Sequence, residues 1–134
     1  MSRYTFYAYI DGYDLQLIEP IVRPDFEEFI ASRNWVCGGT KLVNERETAV
    51  TKKGDLPRWD FGIAFDLPED WQVKEGWFAD VEDSCVFLRG ISEKTGREFV
   101  GGVYDNGQKY AFEMFFIDSG PIPIERIRRS LFMS

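Results

Sequence analysis

With 134 residues and 44% hydrophobic side chains, the chain makes one domain, 1–134, large enough for a core without disulfide or metal staples. Sixteen Lys and Arg against twenty-three Asp and Glu leave a formal net charge of −7, which disfavours direct contact with nucleic acid because phosphates repel it. The lack of any histidine removes imidazole bases, Ser-His-Asp and Cys-His arrangements, and His-containing zinc sites.

Cys37 and Cys85 form no C-x-x-C spacing, no calcium-loop motif is present, and no residue pattern calls for a cofactor or a metal. The N-terminus has no basic-then-apolar-then-small signal pattern, and no apolar run approaches the ~20 residues of a spanning helix. The expectation is a cytoplasmic protein with no membrane partner. Twelve Phe, six Tyr and four Trp point to a β-rich core.

In chain order, Tyr4–Ile10 (YTFYAYI) reads as a strand, and Asp11-Gly12 as a hairpin turn onto Tyr13–Ile18. Pro20 and Pro24 break the chain, and a helix over about 24–33 begins at Pro24, where a missing N–H costs nothing. Phe26, Phe29 and Ile30 give it one apolar stripe, and Arg33 suits its C-terminal end. Gly38-Gly39 interrupts any strand begun at Trp35, and 40–51 reads as an exposed or edge strand. Residues 52–57 form a loop. In Trp59–Leu67, Trp59, Phe61, Ile63, Phe65 and Leu67 alternate with Asp60, Gly62, Ala64 and Asp66, the pattern of a half-buried strand. The chain then reads as irregular up to Cys85.

Three segments, Cys85–Ser92, Arg97–Tyr104 and Lys109–Ile117, predict a C-terminal antiparallel meander over 85–117. Glu93-Lys94-Thr95-Gly96 supplies one turn with a left-handed glycine, and Asn106-Gly107 a two-residue type I′ turn. That register pairs Tyr104 with Lys109, Val103 with Tyr110, Gly101 with Phe112 and Phe99 with Met114. Phe99, Gly101, Val103, Tyr110, Phe112, Met114 and Phe116 then share the core face, with Gly101 leaving room for Phe112. Phe87, Arg89 and Ile91 join that face from the first strand. Pro121 and Pro123 introduce a C-terminal helix, about 124–132, with Ile124, Ile127 and Leu131 as its stripe. The fold class is α+β: an antiparallel, strongly bent sheet of five to seven strands with an early and a C-terminal helix.

Charge is concentrated. Asp66, Glu69, Asp70, Glu75, Asp80, Glu82 and Asp83 face one base, Lys74, in eighteen residues that also hold Trp71, Trp77 and Phe78. This stretch reads either as a solvated loop or as a docking surface for a basic protein, with Glu69, Asp70, Trp71, Trp77, Asp80, Glu82 and Asp83 as the partner-binding residues. The leading functional expectation is therefore a non-catalytic acidic binding module, such as an immunity protein or antitoxin occluding a basic, nuclease-like partner. The alternative is a small-molecule module with an aromatic pocket between helix and sheet and Arg89 as its anion contact. No nucleophile or metal motif argues for an enzyme. A carboxylate enzyme would use Asp60 and Asp66, six apart on one strand face.

Overall fold

The computed structural model describes residues 3–10, 15–46, 59–111 and 115–132. Its elements are β1 (Tyr4–Ile10), α1 (Glu19–Ser32), β2 (Gly38–Arg46), β3 (Trp59–Asp66), α2 (Trp77–Thr95), β4 (Phe99–Asp105), β5 (Tyr110–Ala111), β6 (Phe115–Ile117) and α3 (Ile124–Phe132). The fold is α+β, with an antiparallel sheet in the order β2-β3-β1-β4-β5 and β6 also on β4. Strand β3 lies between β1 and β2, and β1 lies between β3 and β4. Two split β-α-β units therefore interlock, the ferredoxin-like connectivity. No described helix is long and apolar enough to cross a membrane.

The period-2 patterns hold where they are strongest. In β1, Tyr4, Phe6, Ala8 and Ile10 are buried while Thr5, Tyr7 and Tyr9 are half-buried, so one face carries the core. In β3 the same face holds Trp59, Phe61, Ile63 and Phe65. Phe6 stacks on Phe65 at 4.9 Å and on Phe115 at 6.0 Å. β1 is central rather than one arm of a local hairpin: it pairs with β3 and β4, and Leu15–Ile18 turns into α1 instead of forming a second arm. Asp11-Gly12 and the 52–57 loop lie outside the described residues.

Helix α1 starts five residues earlier than the prolines predict. Pro20 sits in its first turn, where no N–H is needed, and Pro24 is carried inside at the loss of one hydrogen bond. The earlier start adds Val22 to the stripe, and Val22 and Phe26 are fully buried. Phe26 meets Phe61 of β3 edge-on at 5.2 Å. β2 is an edge strand, as expected, and it begins at Gly38 with a bulge before Lys41. Gly39 has φ +63°, and a Cβ there would stand 3.0 Å from an oxygen of Asp66.

The meander is the main correction. Cys85–Ser92 is not its first strand but part of α2, and the irregular stretch before it contains that helix's start. Trp77, Val81, Cys85, Leu88 and Ser92 recur at three and four residues and are all buried, a 3.6-residue period. An eight-residue window of Phe87, Arg89 and Ile91 satisfies either period, and length decides for helix. Gly96 is left-handed as expected (φ +72°), yet its N–H closes onto Ser92 O at 2.8 Å as a helix C-cap.

The second hairpin also has a different register. Asp105 Oδ1 accepts from the N–H groups of Gly107 and Gln108 at 2.9 and 3.1 Å, and Lys109 N–H reaches Asp105 O at 2.6 Å. This side-chain cap favours a four-residue turn whose left-handed position is Lys109 (φ +59°), with Gly107 outside that region. Tyr104 thus pairs with Ala111, and Asp105 with Tyr110. Gly101 pairs with Phe115 and Phe99 with Ile117, so from the Tyr104–Ala111 pair to the Gly101–Phe115 pair β4 advances three residues and its partner four. One extra residue reverses the faces: Phe115 and Ile117 are buried and Phe116 is 52% exposed. The ring for which Gly101 leaves room is that of Phe115, 2.8 Å from where a Cβ would stand. Phe112 and Met114 lie outside the described residues. In α3, Ile127 is fully buried, as its stripe predicts.

Candidate interaction surface

The acidic stretch begins at the end of β3, where Asp66 Oδ1 accepts from Thr5 Oγ1 at 2.7 Å. After Leu67 the chain forms a tight turn, with Trp71 N–H bonded to Pro68 O, and Val73 and Lys74 N–H to Asp70 O. Gly76, left-handed at φ +87°, then reverses it into α2.

Both tryptophans of this stretch point inward. Trp71 is 8% and Trp77 4% exposed, and their rings meet edge-on at 5.7 Å. Trp71 also meets Tyr4 of β1 at 6.1 Å, and Trp77 meets Phe78 at 5.5 Å. Each large ring gains more by burial than by facing water. Trp71 pins the turn from within and Trp77 where α2 begins, and neither is available as an exposed anchor for a partner.

Asp80 is fully buried as well, which removes a third predicted partner-binding side chain from the surface. Its Oδ1 accepts from Arg33 Nε at 3.1 Å and Nη2 at 2.8 Å, and its Oδ2 from the N–H groups of Val36 and Cys37 at 2.9 and 2.7 Å. Arg33 reaches on to Asp83, and its guanidinium lies 5.3 Å from the Trp35 ring. Burial works against the charge of Arg33, but hydrogen bonds and attraction from Asp80 and Asp83 outweigh it and raise its pKa. This clamp joins the end of α1, the entry to β2 and the start of α2. The sequence signal available for it was the three-residue spacing of Asp80 and Asp83, one helical turn opposite a helix-terminal arginine.

The rest of the predicted surface is outside. Glu69, Asp70, Glu75 and Asp83 are exposed and Glu82 is half-buried. Val73, 80% exposed, lies in the same turn as Glu69, Asp70 and Glu75. Those three carboxylates make no ion pair with a described residue.

Arg89 lies on α2, half-buried and without an ion pair among the described residues, rather than in the sheet beside Gly101. The space between helices and sheet is filled by Phe6, Phe26, Phe61, Phe65, Phe99 and Phe115, each fully or almost fully buried. Asp60 and Asp66 stand on one strand face but roughly 20 Å apart at a strand's rise, too far to act on one bond. The thiols are inert: burial and the neighbouring Asp80 push Cys37 far up, and burial with Glu82 pushes Cys85 up to about 12.

A groove that sequence reasoning did not anticipate runs between α1 and α2, with a volume of about 470 Å³. The rings of Phe29 and Phe87, stacked at 4.3 Å, and Ile91 form its floor. Asp25, Glu28 and Ser32 line the α1 side, and Val86, Gly90 and Lys94 the α2 side. Gly90 lies inside a nineteen-residue helix, and a Cβ there would meet nothing within 4 Å. Glycine at such a position costs about 1 kcal/mol against alanine, with no packing reason among the described residues.

No family model, curated protein or solved structure matches this chain.

Proposed function

We propose that this chain is a non-catalytic acidic binding protein that occludes a basic, nuclease-like protein partner, in the manner of an immunity protein or antitoxin. The observation that carries this reading is the turn at 68–75. Trp71 within it and Trp77 just after it are buried and hold it to the core, while Glu69, Asp70 and Glu75 are exposed beside Val73 and make no ion pair with a described residue. A rigid acidic projection loses little entropy on docking and attracts a basic surface from a distance. The tryptophans contribute as pins for this turn and not as contacts. Two buried free thiols suit a reducing, cytoplasmic compartment. A core filled with phenylalanine rings speaks against a ligand pocket between helix and sheet.

The test is affinity capture from the source cell's extract with the wild type and with a Glu69→Gln, Asp70→Asn, Glu75→Gln variant, identifying what each retains. A basic protein held by the wild type, and lost from the variant at moderate salt, is the expected result. Equal retention by both would place the docking surface elsewhere.

A further inference from the structure

We infer that the groove between α1 and α2 receives a basic amphipathic helix of the partner, lying across Gly90. This rests on the reading of the chain as an acidic protein that binds a basic one, and names the surface and the form of recognition.

The two helices run antiparallel. Lys94 pairs with Asp25 at one end, 2.8 Å apart, and Arg33 holds Asp83 near the other. Between these closures the floor is apolar and partly open: Val86 is 52% exposed one turn before Gly90, and Phe29 and Phe87 are only half-buried. On α1, Ile21 is 57% exposed one turn before Asp25 and continues the apolar strip beyond the ion pair. Gly90 is the second, independent sign. The fold makes no steric use of it, and its effect is to bare the α2 backbone where the groove passes. A bare strip of helix backbone is what another helix needs for close approach, because no Cβ holds it off.

Charge selects the occupant. Among the residues lining the groove, the cation Lys94 is neutralised by Asp25. Glu28 on the α1 rim makes no ion pair with a described residue and leaves the lining one carboxylate in excess, while outside it on α2 the charges of Arg89 and Glu93 balance. A helix with an apolar stripe for Phe29, Phe87 and Val86, flanked by Lys or Arg on the side of Glu28, satisfies both features. An acidic helix would be repelled.

The probe is a fluorescent synthetic helix with leucines at three- and four-residue spacing and lysines elsewhere, compared with oligolysine of equal charge. Binding is read by anisotropy at low and moderate salt. The wild type should bind the helix at least roughly tenfold more tightly than oligolysine. Gly90→Leu, which fills the floor, should weaken the helix at least tenfold and leave oligolysine unchanged. Gly90→Ala should weaken it by a smaller factor while raising the unfolding midpoint, which separates lost binding from lost folding. Helix binding unaffected by Gly90→Leu, or no preference over oligolysine, would overturn the groove and leave an acidic binding protein standing. Failure of both probes at low salt would overturn both readings. A concentration-dependent dimer of the protein alone, abolished by Gly90→Leu in sedimentation, would assign the groove to a second copy and overturn the inference.

Discussion

Asp80 accepts four hydrogen bonds with no exposure to water: two from Arg33 and two from the backbone N–H groups of Val36 and Cys37. Removing it strands a largely covered guanidinium and two N–H donors together, the costly way to break an ion pair. Asp80→Ala should therefore cost about 3–5 kcal/mol, read as a lower urea midpoint at unchanged slope. Asp105 is the other buried carboxylate among the described residues. Burial favours its neutral form, but hydrogen bonds from Arg3 and from the N–H groups of Gln108 and Gly107 outweigh this and hold its pKa below the ordinary value. The unfolded chain then takes up this proton first on acidification. The contribution is complete above the unfolded pKa of about 3.9 and is lost as pH falls through the lowered folded value. Asp105→Asn should lower the melting temperature at neutral pH and flatten its decline in acid. Parallel declines in mutant and wild type would show that other carboxylates dominate that limb.

At the scale of elements, the β4–β5 turn takes its form from a side chain rather than from its Asn-Gly pair. With Asp105 capping the N–H groups of Gly107 and Gln108, the strained left-handed residue is Lys109, which carries a Cβ. Lys109→Gly should stabilise the protein by about 0.5–1 kcal/mol, seen as a higher melting temperature. A loss of stability would show that the lysine side chain itself holds the turn. The neighbouring strands are less forgiving. A Cβ at Gly62 would run into the Ala8 carbonyl oxygen, and one at Gly101 would stand 2.8 Å from both the Phe115 ring and the Tyr7 carbonyl. β1 is approached this closely by both β3 and β4 because glycine stands at each contact.

For the whole molecule, the proposed function gives the acidic stretch two roles, folding and docking, that mutation should separate. Trp71→Ala empties a site against Tyr4 and Trp77 and should cost about 3–5 kcal/mol of folding stability. Neutralising Glu69, Asp70 and Glu75 should leave the unfolding midpoint within about 0.5 kcal/mol, since exposed unpaired charges contribute little to folding. Its effect should fall on association with a basic partner, as a slower and less salt-dependent on-rate. Stopped-flow or surface-binding kinetics with the captured partner distinguishes the two.

The sequence by itself determined the α+β class, the strands β1 and β3, the helix α3 and the place of the negative charge. Those features are carried by long local patterns: seven or eight residues at period 2, a proline-started amphipathic turn, and seven acids in eighteen residues. Only the tertiary structure decided the rest. The window Cys85–Ser92 fits both periods, and the helix wins because it is continued by buried Trp77 and Val81 and closed by Gly96. The faces of β6 depend on one residue of register, gained between the Tyr104–Ala111 and Gly101–Phe115 pairs, since the Asp105 turn shifts the pairing by two and leaves the faces unchanged. Whether a tryptophan among acids is an anchor or a pin depends on what stands opposite. For Trp71 that is Tyr4, sixty-seven positions away in the chain, and for Asp80 it is Arg33, forty-seven away. Contacts at such separations leave no periodic trace in the sequence, because they arise when β1 is inserted between β3 and β4 and the two helices are laid side by side across it.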